Sequence, residues 1–386
     1  MINKVNTNIL AYASGLDVLK QSPRCVADNN DTLSFKANYL YNGPYNNAIM
    51  LTDFNDATSN FEATLRLNDV LNYVTFQRKN RHSIKGFQWD NEFKKLSKRT
   101  QGTLEINTFT DIPCGNKDYA AMSLLRLGSR PNKDIFIHVV DPGVGNGTAQ
   151  KLTQNHDRSI LISKKHGIFI GPNNGSLGLL QKYLIEIKDE FRLHPINLRA
   201  VEAFERIRLA NPYYILPETF HGRDVFSVVA GAVLGGINPE AFVDKLRVIK
   251  ECESEFAKGI TSLTEIKKDE VLKAIAIVDQ TCGNIKTNLI LTAEQAQKLL
   301  EENAFFEIAT TGQQGGLKFE IPFKKSFSDV PKGKDLIYLG SSYAPVCENG
   351  NLVSRFVEIA TNAGHFGRKI AVENHHAIKF IIRRVR

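Results

Sequence analysis

Four stretches of the sequence carry groups able to bind or activate a small polar molecule, three of them directly after runs that read as buried strands. Ala48-Ile-Met-Leu-Thr52 ends at Asp53, and Asp134-Ile-Phe-Ile-His-Val-Val140 runs into Asp141-Pro-Gly-Val-Gly145. Gly167-Ile-Phe-Ile170 stops at Gly171-Pro-Asn-Asn-Gly175, which carries Asn173. Thr219-Phe-His-Gly-Arg-Asp224 sets His221 beside a glycine, just ahead of the apolar stretch 225–234. Carboxylates and amides in such places hydrogen-bond to hydroxyls, and glycines let the backbone approach a ligand closely. A histidine changes charge near neutrality and can take up a proton. Each feature also has a plain reading. Asp53 can cap a helix, Asp141-Pro-Gly is a common turn, and a histidine ahead of a helix is often just a surface residue. The glycine string Gly143-Val-Gly145-Asn-Gly147 lacks the lysine of a phosphate loop and the spacing of a dinucleotide fingerprint.

These groups need a scaffold, and the order of elements indicates one. Strand-like runs, with a further one at Arg158-Ser-Ile-Leu-Ile162, alternate with helical stretches such as 177–183 between residues 48 and 245. That is the pattern of an α/β domain with a largely parallel sheet, whose ligands bind at the carboxyl ends of the strands. After about residue 262 the character changes. Short β-rich runs at 273–278, 318–323, 335–339, 356–360, 369–372 and 378–382, with a helix over 293–303, predict an all-β, barrel-like C-terminal domain. The expected organisation is an extension over 1–46 and an α/β domain over 47–250 with a basic insertion near 78–99. A charged linker over 251–268 and a β domain over 269–386 complete it.

Composition excludes several classes. Of 386 residues, 42% are apolar and 23% charged, enough to build a sizeable core. No uncharged apolar run approaches the roughly 20 residues of a membrane helix, so no membrane span is expected. The 49 basic against 41 acidic residues leave a net charge of +8, thin for a chain of this length. Phe87 and Trp89 lie inside the basic stretch, as a nucleic-acid surface would want, but a solvated face is the preferred reading and argues against nucleic acid. The five cysteines show neither CxxC nor zinc spacing, and the N-terminus makes a poor secretory signal. A cytoplasmic protein is expected.

Taken in order, the blocks resemble a known family. Ile49-Met-Leu-Thr-Asp-Phe54, Val139-Val-Asp-Pro-Gly-Val-Gly145, Gly171-Pro-Asn-Asn-Gly175, Thr219-Phe-His-Gly-Arg-Asp224 and Asp279-Gln-Thr-Cys-Gly-Asn284-Ile-Lys-Thr-Asn288 look like the S-adenosyl-L-methionine (SAM) hydroxide adenosyltransferases. These SAM hydrolases form adenosine and are related to the fluorinating and chlorinating adenosyl-halide synthases. The resemblance runs from about residue 48 to 386, leaving out 1–46 and 78–99. It implies homotrimers that bind SAM between the N-terminal domain of one subunit and the C-terminal domain of the next. It assigns Asp53 to the ribose hydroxyls, Asp279 and Asn284 to the methionine amino group and the adenine, Phe327 to stacking on the adenine, and Ser341 to the methionine end. The halide synthases place an arginine after that serine. Here it is Ser342, and Arg355 is a candidate stand-in.

The resemblance implies hydrolysis of SAM to adenosine and methionine, with SAM as substrate and no metal or organic cofactor. The sulfonium is already a good leaving group, so the ribose 5′-carbon needs only an in-line water whose proton is accepted as it attacks. Asp141 is expected to orient and His221 to accept that proton. The hydrolases add an arginine, expected where Thr148 stands, and Asn173 takes the place of their usual aspartate. Two other readings follow: an adenosyl-halide synthase, which a carboxylate at Asp141 disfavours by repelling halide, and a SAM- or adenosine-binding protein with impaired chemistry.

Overall fold

The computed structural model describes residues 24–27, 33–41, 44–54, 57–91, 93, 102–110, 112–140, 158–217, 220–247, 249, 253–266, 270–279, 283–310, 317–370 and 378–386. Its first sheet contains β1 (Arg24–Ala27), β2 (Leu33–Tyr41), β3 (Asn47–Thr52), β4 (Gly102–Phe109), β5 (Ile135–Val139), β6 (Arg158–Ser163), β7 (Gly167–Pro172) and β8 (Phe191–Pro195). Their spatial order is β1-β2-β4-β3-β5-β7-β6-β8. The four central strands β4, β3, β5 and β7 run parallel, while β1, β2, β6 and β8 add antiparallel edges. The parallel sheet is therefore the centre of a mixed one. Within the stretch expected to precede the fold, 24–27 and 33–41 lengthen this sheet by two strands beyond β4.

Five helices accompany the first sheet among the described residues: α1 (Ala57–Lys79), α2 (Lys117–Gly128), α3 (Gly178–Glu186), α4 (Leu198–Arg208) and α5 (Ser227–Gly235). Both faces of β5 are buried, which is why its sequence is a continuous apolar run rather than an alternating one. Helix α5 is buried on every side and correspondingly apolar all round. The basic stretch resolves differently from a stacking surface. Arg78 and Lys79 end α1, where cations suit the helix dipole. Phe87 packs into the core against Phe204 and Phe242, at ring-centroid distances of 5.3 and 5.5 Å. Trp89 bridges to Ile237.

The chain then passes through α6 (Glu255–Lys258) into the second sheet: β9 (Thr261–Ser262), β10 (Val271–Val278), β11 (Ile285–Thr292), β12 (Phe305–Thr310), β13 (Lys318–Pro322), β14 (Asp335–Tyr343), β17 (Ser354–Thr361) and β18 (Ile378–Arg384). A two-stranded hairpin, β15 (Cys347–Glu348) with β16 (Asn351–Leu352), stands apart from it. The order is β13-β12-β18-β10-β11-β17-β14, antiparallel throughout except that β9 joins β11 in parallel. The sheet curls until Phe323, just after β13, meets Ile337 of β14 in a single bridge. Helix α7 (Ala293–Glu301) starts with a capping box between Thr292 and Gln295. The sequence predicts a strand over 369–372, but the described part of that region is a helical turn, α8 (Phe366–Lys369). The His365 side chain caps it by accepting from the Arg368 N–H, and Phe366 anchors it in the core.

The two units share apolar surface. One core cluster joins Leu51, Phe136, Phe169 and Leu180 of the first with Ile277, Ile290 and Phe356 of the second. Phe136 and Phe169 stack at 4.6 Å, and Phe256 of α6 meets Phe356 at 5.4 Å.

Candidate functional site

The carboxyl ends of β3, β5 and β7 bring several of the expected residues to one edge of the first sheet. Asp53 follows β3, and its Oδ2 accepts the Gly115 N–H at 2.7 Å, just ahead of α2. That contact fixes one carboxylate oxygen. Burial and the nearby Asp53 charge both push the Cys114 thiol up in pKa, so it is a poor nucleophile in that position. Beyond β7, Asn173 is buried. The neighbouring Asn174 donates to the Val140 carbonyl at 2.6 Å, tying this loop to the end of β5.

His221 arrives from the other side. It precedes a π-helical turn, Gly222–Phe226, that leads into α5. A side chain at Gly222 would meet Val139 Cγ1 at 2.6 Å and Phe54 Cζ at 3.1 Å, so only glycine lets this turn lie against the ends of β3 and β5. Phe54 and Phe220 close the contact edge to face at 5.1 Å. The turn itself is held by charge. Buried Asp224 takes two hydrogen bonds from Arg223, at 2.9 and 2.8 Å, and a third from Arg66 at 3.4 Å. Arg66 continues to buried Glu205 at 3.5 Å, which Arg208 grips at 2.6 and 2.9 Å, and Arg223 reaches Glu62 at 2.7 Å. The Asp224 hydrogen bonds, reinforced by Glu62, raise the Arg223 pKa and keep it charged.

Beside His221 stands a cation that sequence spacing did not find. Arg158, the first residue of β6 and the cross-strand partner of Pro172, puts Nη2 at 2.8 Å from His221 Nε2 and 3.1 Å from Nδ1. Counting from Asp141 leads to Thr148, whereas Arg158 stands ten residues further on, at the head of β6. Asp141 and Thr148 lie outside the described residues.

The second sheet carries another group. Asp279 and Asn284 meet through their backbones, with the Asp279 N–H donating to the Asn284 carbonyl at 2.8 Å. Asn284 Nδ2 donates to the Tyr338 hydroxyl at 2.9 Å, and Tyr338 donates to Glu358 at 2.6 Å. Phe327, 37% exposed, lies against Tyr338 with centroids 5.3 Å apart. Asn284 and Phe327 are thus joined through Tyr338, which no motif had singled out. Ser341 lies on β14, exposed. Its neighbour Ser342 accepts from Lys286 Nζ at 3.2 Å, and that ammonium also lies 5.3 Å from the Tyr119 ring centroid of α2. Arg355 packs over the Tyr343 ring at 5.3 Å. Among the described residues no cluster of three or more His, Cys, Asp or Glu is placed to hold a metal ion, and no helix is long and apolar enough to cross a membrane.

Residues 103–243 match the family model for the SAM hydroxide adenosyltransferase N-terminal domain. The matched stretch runs from β4 through α5, and Asp53 and the second sheet lie outside it. A relative from Thermus thermophilus named (R)-S-adenosyl-L-methionine hydrolase is 27% identical over 249 residues, covering 64% of this chain and 80% of that protein. A conserved hypothetical protein from Thermus thermophilus, known from its crystal structure, superposes with a TM-score of 0.50 at 15% identity, covering 88% of this chain and 99% of that one. An uncharacterized conserved protein from Thermotoga maritima gives 0.49 at 20% identity, covering 87% and 100%.

Proposed function

We propose that the chain hydrolyses SAM to adenosine and L-methionine. The observation that carries this reading is the Arg158–His221 contact at the carboxyl-end edge of the sheet that also carries Asp53. A guanidinium only donates, so the ring nitrogen it faces has to accept. The contact thus selects the neutral imidazole, and its accepting nitrogen takes the proton from water once the guanidinium turns away from it. In the proposed reaction the water oxygen bonds to the ribose 5′-carbon as the bond from that carbon to sulfur breaks. The electron pair of the broken bond stays on sulfur, giving neutral methionine, and the water proton passes to His221. Asp141 balances the charge so created. Asp53 holds the ribose hydroxyls, Phe327 and Asn284 the adenine, Asp279 the amino group and Ser341 the carboxylate end. The name of the Thermus thermophilus relative supports the same substrate.

The reading extends to a cytoplasmic homotrimer that needs no metal or organic cofactor and shares each site between subunits. Exposed Tyr213, Ile215 and Leu246, at 87%, 76% and 97%, are apolar surface of the kind interfaces cover. Two experiments test these statements. Purified protein incubated with SAM, with and without chloride, is expected to release adenosine and methionine in both cases. A 5′-chlorinated nucleoside marks a halide synthase instead, and tight SAM binding without product marks a binding protein. Mixing an Asp53→Ala chain with an Asp279→Ala chain is expected to regenerate part of the turnover, and a mixture as inactive as its components rules out the shared site.

A further inference from the structure

The Asn284 amide is oriented by a chain of hydrogen bonds whose direction is chemically forced. Glu358 is buried, and as a carboxylate it only accepts. The single phenolic proton of Tyr338 goes to it, at 2.6 Å. The Tyr338 oxygen can then only accept from Asn284, so it is the NH2 end of that amide, at 2.9 Å, that faces the phenol. The fold prepares this chain. Tyr338 and Glu358 are cross-strand partners on β14 and β17. Gly340 makes room for the carboxylate, since a side chain there would lie 2.5 Å from Glu358 Oε1. Asn284 Oδ1 has no hydrogen-bond partner among the described residues, and Phe327 offers a partly exposed ring beside it.

We infer that Tyr338 and Glu358 are positioning residues that set the nucleobase specificity of this site, by making Asn284 present its carbonyl oxygen together with its second N–H. That pair complements an amino group beside a ring nitrogen, the edge of a 6-aminopurine. A 6-oxopurine offers an acceptor where the amide needs a donor, and it is rejected. The inference deepens the proposed SAM site but concerns base recognition alone, so it can be tested apart from turnover.

The probes are adenosine and inosine, titrated separately into the full chain by calorimetry, with SAM turnover measured on the same preparations. Wild type is expected to prefer adenosine by about 10- to 100-fold, the usual consequence of leaving a polar group mispaired. Glu358→Gln can donate as well as accept, so the hydrogen-bond chain can run in either direction and the amide can flip. The preference is then expected to fall to within about threefold, inosine gaining as adenosine loses. A merely structural role lowers both affinities together and leaves their ratio intact, which overturns the inference. Failure of wild type to bind either nucleoside, or to prefer adenosine, also overturns it. If Glu358→Gln does not fold, Tyr338→Phe, which removes the fixing hydroxyl, is read by the same ratio. Absence of SAM turnover with an intact, Glu358-dependent adenosine preference sinks the hydrolase reading and leaves this one standing. Turnover with a preference unmoved by Glu358→Gln or Tyr338→Phe does the reverse.

Discussion

The first sheet carries a histidine with polar partners at each of its two ends, and the two sites are built to opposite purposes. At the carboxyl end of the parallel strands, half-buried His221 meets a cation, Arg158. At the turn between β6 and β7, buried His166 donates to Asp189 at 3.1 Å, and Ser163 bonds the same carboxylate oxygen. The second group contains the residue types of a nucleophilic triad. Its wiring is wrong for one, because the serine and the histidine both address the aspartate instead of each other. Ser163 Oγ accepts instead the backbone N–H of His166, at 2.9 Å, which closes the turn. Residue types therefore do not decide between chemistry and structure here. Direction of hydrogen bonding and access do.

The largest expected effect breaks the carboxyl-end site. Arg158→Ala and His221→Ala are each expected to lower SAM turnover by roughly 10²–10⁴-fold, the usual worth of proton transfer by a placed side chain, with SAM affinity nearly unchanged. The double variant is expected to cost little more than the worse single one. Near-normal turnover in Arg158→Ala would refute the role given to that contact. Next, Asp53→Ala is expected to weaken SAM binding by about 2–4 kcal/mol in calorimetry, because its charge-assisted bonds to ribose exist before as well as during reaction.

A third histidine, His138 on β5, sharpens the contrast from between the two ends. It is fully buried, bonds only Ser176 at 3.1 Å among the described residues, and burial holds its pKa down at about 3. Unfolded, the same side chain titrates at about 6.5, so between those values the unfolded chain binds the extra proton. Stability is thus fully present above about pH 6.5 and is lost as pH falls toward 3, on the order of 3 kcal/mol by pH 4. Urea unfolding at pH 7 and pH 4 is expected to show that loss in wild type and a smaller one in His138→Gln. The smallest effect concerns the β6–β7 turn. Asp189→Asn is expected to lower stability by about 1–3 kcal/mol in the same assay while SAM turnover per folded molecule stays at the wild-type level. A proportionate loss of turnover would make that turn part of the chemistry.

What could be read in the sequence follows the same physics. Strands β5 and β7 were legible because burial on both faces makes them continuous apolar runs, and α7 because its cap and amphipathic face are local signals. Strand β11 escaped because its middle is polar yet buried. Thr287 donates to the Val357 carbonyl at 2.8 Å, while Asn288 accepts from Ile275 and donates to Gly259. Those bonds reach residues distant in sequence and leave no hydropathy pattern. Asp53, Asn173 and His221 were findable because they lie in motifs at strand ends. Arg158 was hidden by standing ten residues beyond the position that spacing from Asp141 picks out, and Tyr338 and Glu358 by belonging to no motif, their pairing being a fact of strand register alone.

The chain of acids and bases under His221 also bears on how such a sequence can change over generations. Glu62, Arg223, Asp224, Arg66, Glu205 and Arg208 alternate in sign, and Asp224 and Glu205 are out of reach of water. Losing one partner of a buried pair costs about 3–5 kcal/mol, a large share of the roughly 5–15 kcal/mol that holds a domain together, whereas exchanging both partners can be nearly neutral. Substitutions here must therefore arrive as matched pairs. Beneath the histidine, a sequence carrying this network changes by double steps, through single-substitution intermediates that barely fold.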